Sequence, residues 1–197
     1  SVLAPHLGRM TSPPVVHSIE RRLGAVLVDG AVVAVGFAAP FGRIEAGALR
    51  ALAAAARERD VGELRLSPWR TLYAPIAAAP AATALLGAAA ACGFIVDAAD
   101  PLLSIEACPG APGCRSTTLD TRATARALAP LLARLGCRSC HISGCSKGCA
   151  RSRTADLVLV GAGERFGVLR YATAQGQPHV FVSPERISEL PNLLETV

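Results

Sequence analysis

The sequence of 197 residues has few aromatic residues, one methionine and a single lysine, Lys147. Aromatics make up only 4% of the chain, which disfavours single-strand nucleic-acid binding because that function relies on aromatic stacking. No apolar run reaches the roughly 18 residues that span a bilayer, since Arg, Asp, Glu or Pro interrupts each alanine-rich stretch. No secretory leader is indicated at the start either. We therefore expect a cytoplasmic protein that has no contact with a membrane.

The composition is that of a packed protein, with 51% hydrophobic and 18% charged residues. The net charge of +5 comes from scattered arginines, with local groups at 21–22 and 151–153. Such charge indicates either a solvated basic face or a surface for a polyanion, meaning nucleic acid or a carboxylate-rich small molecule. The chain begins with Ser1, from which we expect a fragment or a processed product.

Residues 19–100 show the pattern of a small α+β unit with antiparallel strands. Two β-rich runs are joined by Asp29-Gly30, which predicts a hairpin. Leu64 and Leu66 alternate with charged residues, as in a half-buried strand. The other predicted elements are a helix over 45–59, a helix over 81–91 and a strand over 94–96. The proline-rich residues 1–18 predict a linker that leads into this unit.

Residues 101–197 predict a second unit that begins with a pair of cysteines. A helix over 121–135 is expected after the N-cap Asp120, with a bend at Pro130. Three strand-like runs follow, and a short terminal helix is expected after Pro184. These runs are CHISG, DLVLVG and GVLRYA.

Six of the seven cysteines fall between residues 108 and 149. Four of them form the pattern Cys108-x5-Cys114 and Cys145-x3-Cys149, surrounded by glycine and proline. Tight loops of this kind let backbone N–H groups approach thiolate and sulfide atoms, as in iron–sulfur sites. Four thiolates from two loops match a 4Fe-4S cluster, and zinc accepts four thiolates as well.

The remaining cysteines leave two further interpretations open. Cys137 and Cys140 together with the last pair form a zinc-knuckle-like run, which would serve a nucleic-acid-binding module. Cys137-x2-Cys140-His141 also fits the pattern for covalent haem attachment, although that reaction needs export. Cys92 is expected to be a buried thiol at the end of a helix. For His141 we expect a core or hydrogen-bonding role.

The cysteine pattern resembles the cluster motif of the sirohaem-dependent nitrite and sulfite reductases. The stretch FGRIEAGALRALAAAARERDVGELRLSPWR is similar to their ferredoxin-like half-domain. Within that superfamily, HISGCSKGCA and LRLSPWR are most similar to the precorrin-3B synthases of aerobic cobalamin biosynthesis. The resemblance implies an α+β fold, with a ferredoxin-like half-domain over 19–100 followed by a 4Fe-4S domain over 101–197. It also implies that the chain is a carboxy-terminal half.

The resemblance implies an oxygen-dependent enzyme that hydroxylates precorrin-3A at C-20 and forms a γ-lactone. Its cofactors would be a 4Fe-4S cluster on Cys108, Cys114, Cys145 and Cys149 and a separate non-haem iron, whose ligands are not visible in the sequence. The alternative is a sulfite or nitrite reductase, in which Cys149 would bridge the cluster to sirohaem. Either enzyme would need an electron donor and, where encoded separately, an amino-terminal half.

Three cationic residues are candidate contacts for a tetrapyrrole. By the resemblance, Arg65 and Arg70 lie on the strand that points toward the macrocycle, and guanidinium groups bind carboxylates bidentately. Lys147 lies between two of the cluster cysteines, where it would contact the macrocycle or stabilise the charge of the cluster. For each of the three, ordinary solvent exposure is the competing interpretation.

Overall fold

The computed structural model describes residues 22–178 and 180–195. β1 (Gly24–Val28) and β2 (Ala31–Ala38) pair as an antiparallel hairpin. Asp29 and Gly30 adopt φ angles of 50° and 80°, because a two-residue hairpin turn of type I′ needs left-handed backbone at both positions. The predicted hairpin is therefore confirmed. The predicted linker over 1–18 lies outside the described residues.

The first sheet is antiparallel and has the strand order β1-β2-β4-β3. β3 comprises Arg65–Leu66 and β4 comprises Thr71–Pro75. Two predicted helices, α1 (Ala46–Arg57) and α2 (Ala79–Ala91), pack against this sheet. Each contributes a small buried stripe to a shared core. The main core side chains are Val35, Phe37, Leu52, Ala56, Leu72, Ala74, Leu85 and Ala89.

The edge of this sheet differs from the prediction. Leu64 packs against the core, but Leu66 is 81% exposed. The half-buried interpretation was therefore wrong for Leu66, because β3 has only two residues and a neighbouring strand on one side. The strand expected over 94–96 is reduced to a single bridge between Ile95 and Ala38.

The second sheet has the order β5-β6-β7-β8-β9. β5 (Ile105–Ala107), β6 (Cys140–Ser143) and β7 (Ala155–Ala162) are parallel to one another, whereas β8 (Arg165–Ala172) and β9 (Val180–Val182) are added antiparallel. The three predicted strands are β6, β7 and β8. β5 and β9 were not predicted, because a run of three residues shows too little alternation of polar and apolar side chains to be recognised.

The helix after the first cysteine pair is α3 (Thr121–Leu128). A carboxylate oxygen of Asp120 accepts hydrogen bonds from the backbone N–H groups of Arg122 and Ala123, at 3.1 and 2.9 Å. The prediction extended this helix to residue 135. Instead the α-helix ends at Leu128 and a 3-10 turn follows, since Pro130 cannot donate a backbone hydrogen bond. The last element of the described residues is α4 (Leu190–Glu195), a short helix of the kind expected after Pro184.

The two sheets and their helices confirm the predicted α+β fold class. In the second unit, the leucines of α3 and the following turn pack on the face of the sheet that carries Ile142, Leu157 and Leu159. His141 and Val158 point to the opposite face, since neighbouring residues in a strand alternate. Within the described residues, the helices are too short or too polar to cross a membrane.

We predict that Asp120→Ala lowers the free energy of unfolding by about 1 kcal/mol, because two backbone N–H groups at the start of α3 lose their acceptor. Urea denaturation measures this change. Asp120→Asn is the matched control, since the amide oxygen keeps an acceptor at the cap, and it should cost less. Equal stability of Asp120→Ala and the parent protein would contradict this account of the helix start.

Candidate functional site

The two cysteine loops meet at one edge of the second sheet. Cys108 directly follows β5, and Cys145 lies two residues after the end of β6. β5 and β6 are parallel neighbours, paired from Ile105 with Cys140 to Ala107 with Ile142. Parallel neighbours place their carboxyl ends at the same edge, which is where α/β sheets bind ligands. The fold therefore brings together two loops that are separated by 30 residues in the sequence.

Hydrogen bonds fix both the sulfur and the backbone of Cys108. The N–H of Gly144 donates to Cys108 Sγ over 3.2 Å, and the N–H of Cys108 donates to the Ile142 carbonyl over 3.1 Å. The Thr121 hydroxyl donates to the Cys108 carbonyl over 2.7 Å. A backbone N–H aimed at a sulfur is the interaction that stabilises thiolate in an iron–sulfur site.

Two glycines permit this close approach. A Cβ on Gly144 would lie 2.4 Å from Cγ2 of Thr117, on the segment that follows the first loop. Gly110 has a φ of 61°, and a Cβ there would lie 2.5 Å from the Thr121 hydroxyl. A side chain in place of Gly144 would push the second loop away from the segment that follows the first, and a side chain in place of Gly110 would displace the start of α3. Glycine is therefore required at these two positions because a side chain would not fit there.

The four cysteines of the predicted cluster differ in exposure. Cys108 is buried, Cys114 and Cys145 are half-buried, and Cys149 is exposed. Across 22–178 and 180–195, no three His, Cys, Asp or Glu side chains are close enough to form a metal site. The donor chemistry and the shared edge fit a 4Fe-4S cluster, but the sulfurs are not gathered into a tetrad. The cluster assignment stays a prediction, and the described residues reveal no ligand set for a non-haem iron.

Cys137 and Cys140 occupy a different place. Both lie in the core of the second unit, at the start of β6, whereas Cys145 follows its end. The four residues of β6 span roughly 10 Å at about 3.3 Å per residue, which is too far for both pairs to ligate one zinc. Burial raises the pKa of the Cys137 and Cys140 thiols, so both are protonated at pH 7. This placement argues against a zinc knuckle.

His141 is fully buried, and within the described part of the chain neither ring nitrogen has a hydrogen-bond partner. Burial lowers the pKa of the imidazole, which is therefore neutral at pH 7. The core role is confirmed, whereas the hydrogen-bonding role finds no support. A fully buried histidine is also unsuited to act as an axial ligand of a haem iron.

The three predicted tetrapyrrole contacts do not converge on one cavity. Arg65 is exposed at the sheet edge, where it pairs with Glu63 at 2.5 Å. Lys147 is exposed, with its amine 3.3 Å from the Ser116 hydroxyl, and so links the two cysteine loops. Arg70 lines a cleft of about 520 Å³ between the two units.

The cleft beside Arg70 is strongly cationic, and its other arginines were not predicted as site residues. Arg138, Arg151 and Arg153 line it, and Arg151 is ion-paired with Glu106 of β5. The basic group at 151–153 was visible in the sequence, but its position was not. After Cys149 the chain returns along the sheet to the start of β7, which brings these arginines opposite Arg70.

Comparisons with known proteins agree with this architecture. A family model for the nitrite/sulfite reductase ferredoxin-like half domain matches residues 27–89. A curated protein, precorrin-3B synthase of Sinorhizobium sp., is 29% identical over 160 residues, or 80% of this chain. The solved structure of the Mycobacterium tuberculosis NirA protein matches 94% of the chain with a TM-score of 0.69 and 21% identity.

The chain spans 35% of the length of the precorrin-3B synthase and 39% of the NirA chain. The NirA match extends over both units, whereas the family model lies within the first. Together, the half-domain match, the sequence relative and the shared fold make this chain similar to proteins of the nitrite/sulfite reductase-like superfamily.

Proposed function

We propose that this chain is the cluster-bearing part of an oxidoreductase that converts precorrin-3A to precorrin-3B. The observation that carries the proposal is the meeting of the two cysteine loops at one sheet edge, in a chain 29% identical to a precorrin-3B synthase. In the proposed reaction one atom of O₂ enters the substrate and the other leaves as water, with two electrons from an external donor.

Cys108, Cys114, Cys145 and Cys149 would hold the cluster as thiolates. When bound, the cluster supplies one-electron transfer. The Gly144 N–H stabilises negative charge on the Cys108 sulfur, which favours the reduced state of an attached cluster. The amine of Lys147, held beside Ser116, adds a positive charge at the same edge. The proposal places the protein in the cytoplasm, where reducing conditions keep its thiols free.

The arginine cleft supports a carboxylate-rich substrate. Arg70, Arg138 and Arg153 form no salt bridge among the described residues, although the Asp156 carboxylate interacts electrostatically with Arg138, whereas Glu106 pairs with Arg151. Guanidinium groups bind carboxylates bidentately, so they would fix acetate or propionate arms of a tetrapyrrole. A volume of about 520 Å³ accommodates such arms rather than a whole macrocycle. The remaining surface would come from a preceding half, since this chain covers 35% of the relative.

A sirohaem-dependent nitrite or sulfite reductase is the second candidate. The TM-score of 0.69 to NirA favours this candidate, although a sequence identity of 21% indicates a shared fold and does not indicate a shared substrate. A visible spectrum of anaerobically purified protein separates the two. A broad shoulder near the violet from a cluster alone agrees with the proposal. An intense Soret band from bound sirohaem would instead establish the second candidate.

We predict that Cys114→Ala abolishes cluster binding, because the cluster would lose one of its four proposed thiolate ligands. Iron and acid-labile sulfide measured on anaerobic protein report the loss. Cys137→Ala is the matched control, since its thiol lies in the core at the other end of β6, and it should retain both elements. Retention of iron and sulfide by Cys114→Ala would refute the ligand assignment.

We also predict that Gly144→Ala separates the cysteine loops. The new methyl group would lie 2.4 Å from Thr117, and overpacking of this kind costs about 1–3 kcal/mol. Both thermal stability and iron content should fall. Gly47→Ala in α1 is the control, because its Cβ meets nothing within 4 Å. Unchanged iron content in Gly144→Ala would show that the loop contact is irrelevant to the cluster.

A further inference from the structure

A second cleft, of about 650 Å³, lies between the two units behind the first cysteine loop. Its walls are the start of α1, the end of α2, the segment from Pro109 to Gly113 and the start of α3. Phe41 is the one residue that it shares with the Arg70 cleft. A volume of this size is ordinary for a site that binds a small organic molecule.

Three arginines converge on this cleft. The guanidinium carbons of Arg122 and Arg126 lie 6.0 and 5.1 Å from the centre of the Phe41 ring. Arg43 also lines the cleft and is close enough to repel Arg122 electrostatically. Like charges this close raise the free energy of the empty cleft, and a bound anion would lower it.

Two carboxylates also line the cleft and offset part of this charge. Glu45 pairs with Arg43 at 2.8 Å, and Asp120 caps α3 and attracts Arg122 electrostatically, which leaves Arg126 without a salt bridge among the described residues. Arg122 Nε is buried and, within the described residues, has no hydrogen-bond partner. A buried donor without an acceptor costs about 1–3 kcal/mol, which marks a place where a ligand oxygen would be stabilised.

Phe41 is held in a conformation that suits this arrangement. Its φ of 57° and ψ of 14° lie in the left-handed region, which is uncommon for a bulky residue. Residues in such conformations tend to cluster at functional sites, where the surrounding structure maintains them. The ring fixed in this way supports both guanidinium groups at the cleft through cation–π contacts.

Apolar side chains form another part of the lining and come from Ile44, Ala48, Phe94, Pro109 and Pro112. The cleft therefore combines a cationic end with an apolar wall. We propose that it binds an organic carboxylate with an apolar body, whose carboxylate meets Arg122 and Arg126. The predicted cluster cysteines do not line the cleft. The loop between Cys108 and Cys114 forms one wall of the cleft, but a molecule bound to Arg122 and Arg126 is not a ligand of the cluster, so this site goes beyond the proposed function.

Isothermal titration calorimetry of the purified chain tests this proposal with isophthalate, which carries two carboxylates on an apolar ring. Isophthalate should bind, and its uncharged analogue isophthalamide should not. Arg122→Gln and Arg126→Gln should each weaken isophthalate binding about tenfold, the usual effect of losing one charge-assisted contact. Arg126 is exposed, so its replacement leaves the packing intact even where Arg122→Gln destabilises the fold.

Arg134→Gln is the matched control, because it removes the same charge from an exposed position outside the cleft, and it should leave the affinity unchanged. Equal weakening by Arg126→Gln and Arg134→Gln would overturn the site, since it would show a response to net charge alone. Absence of isophthalate binding would overturn it as well. Inorganic phosphate binding as tightly as isophthalate would overturn the assigned ligand class.

Discussion

The Gly144 N–H donates a hydrogen bond to the sulfur of Cys108 over 3.2 Å, and this contact joins the two cysteine loops. It exists because β5 and β6 are parallel and end at the same edge, and because glycine leaves room for Thr117. A redox function of this chain requires that these two loops lie side by side. Without it, the cysteine pairs would be two unrelated motifs in a small α+β protein.

Much of the fold could be predicted because local chemistry determines it. Asp29-Gly30 specifies the hairpin turn through two left-handed residues, and Asp120 specifies the start of α3 through its side-chain oxygen. The errors occurred where tertiary context decides. The alternation of Leu64 and Leu66 indicates a half-buried strand, but β3 is a two-residue edge, and Leu66 is exposed. Strands as short as β5 carry no readable period.

The two cysteine loops could be predicted from the sequence, but their surroundings could not. Cysteine spacing identified the two loops, and the parallel pairing of β5 with β6 explains why they meet. The partners of cationic side chains depend on contacts between distant segments. The ion pair of Arg151 with Glu106 and the cation–π contact of Arg122 with Phe41 could therefore not be predicted. For the same reason, the sequence could not show that Arg65, Arg70 and Lys147, although all cationic, lie on different surfaces. Two clefts lined by arginines thus lie between the two units.

The metal and sulfide content of the anaerobically purified protein shows directly whether the two cysteine loops hold a 4Fe-4S cluster. A 4Fe-4S cluster on the two joined loops predicts about four iron atoms and about four acid-labile sulfides per chain. Its visible spectrum should show a broad charge-transfer shoulder. About one zinc per chain with no sulfide would contradict the account, because the loops would then hold a structural metal and carry no electrons.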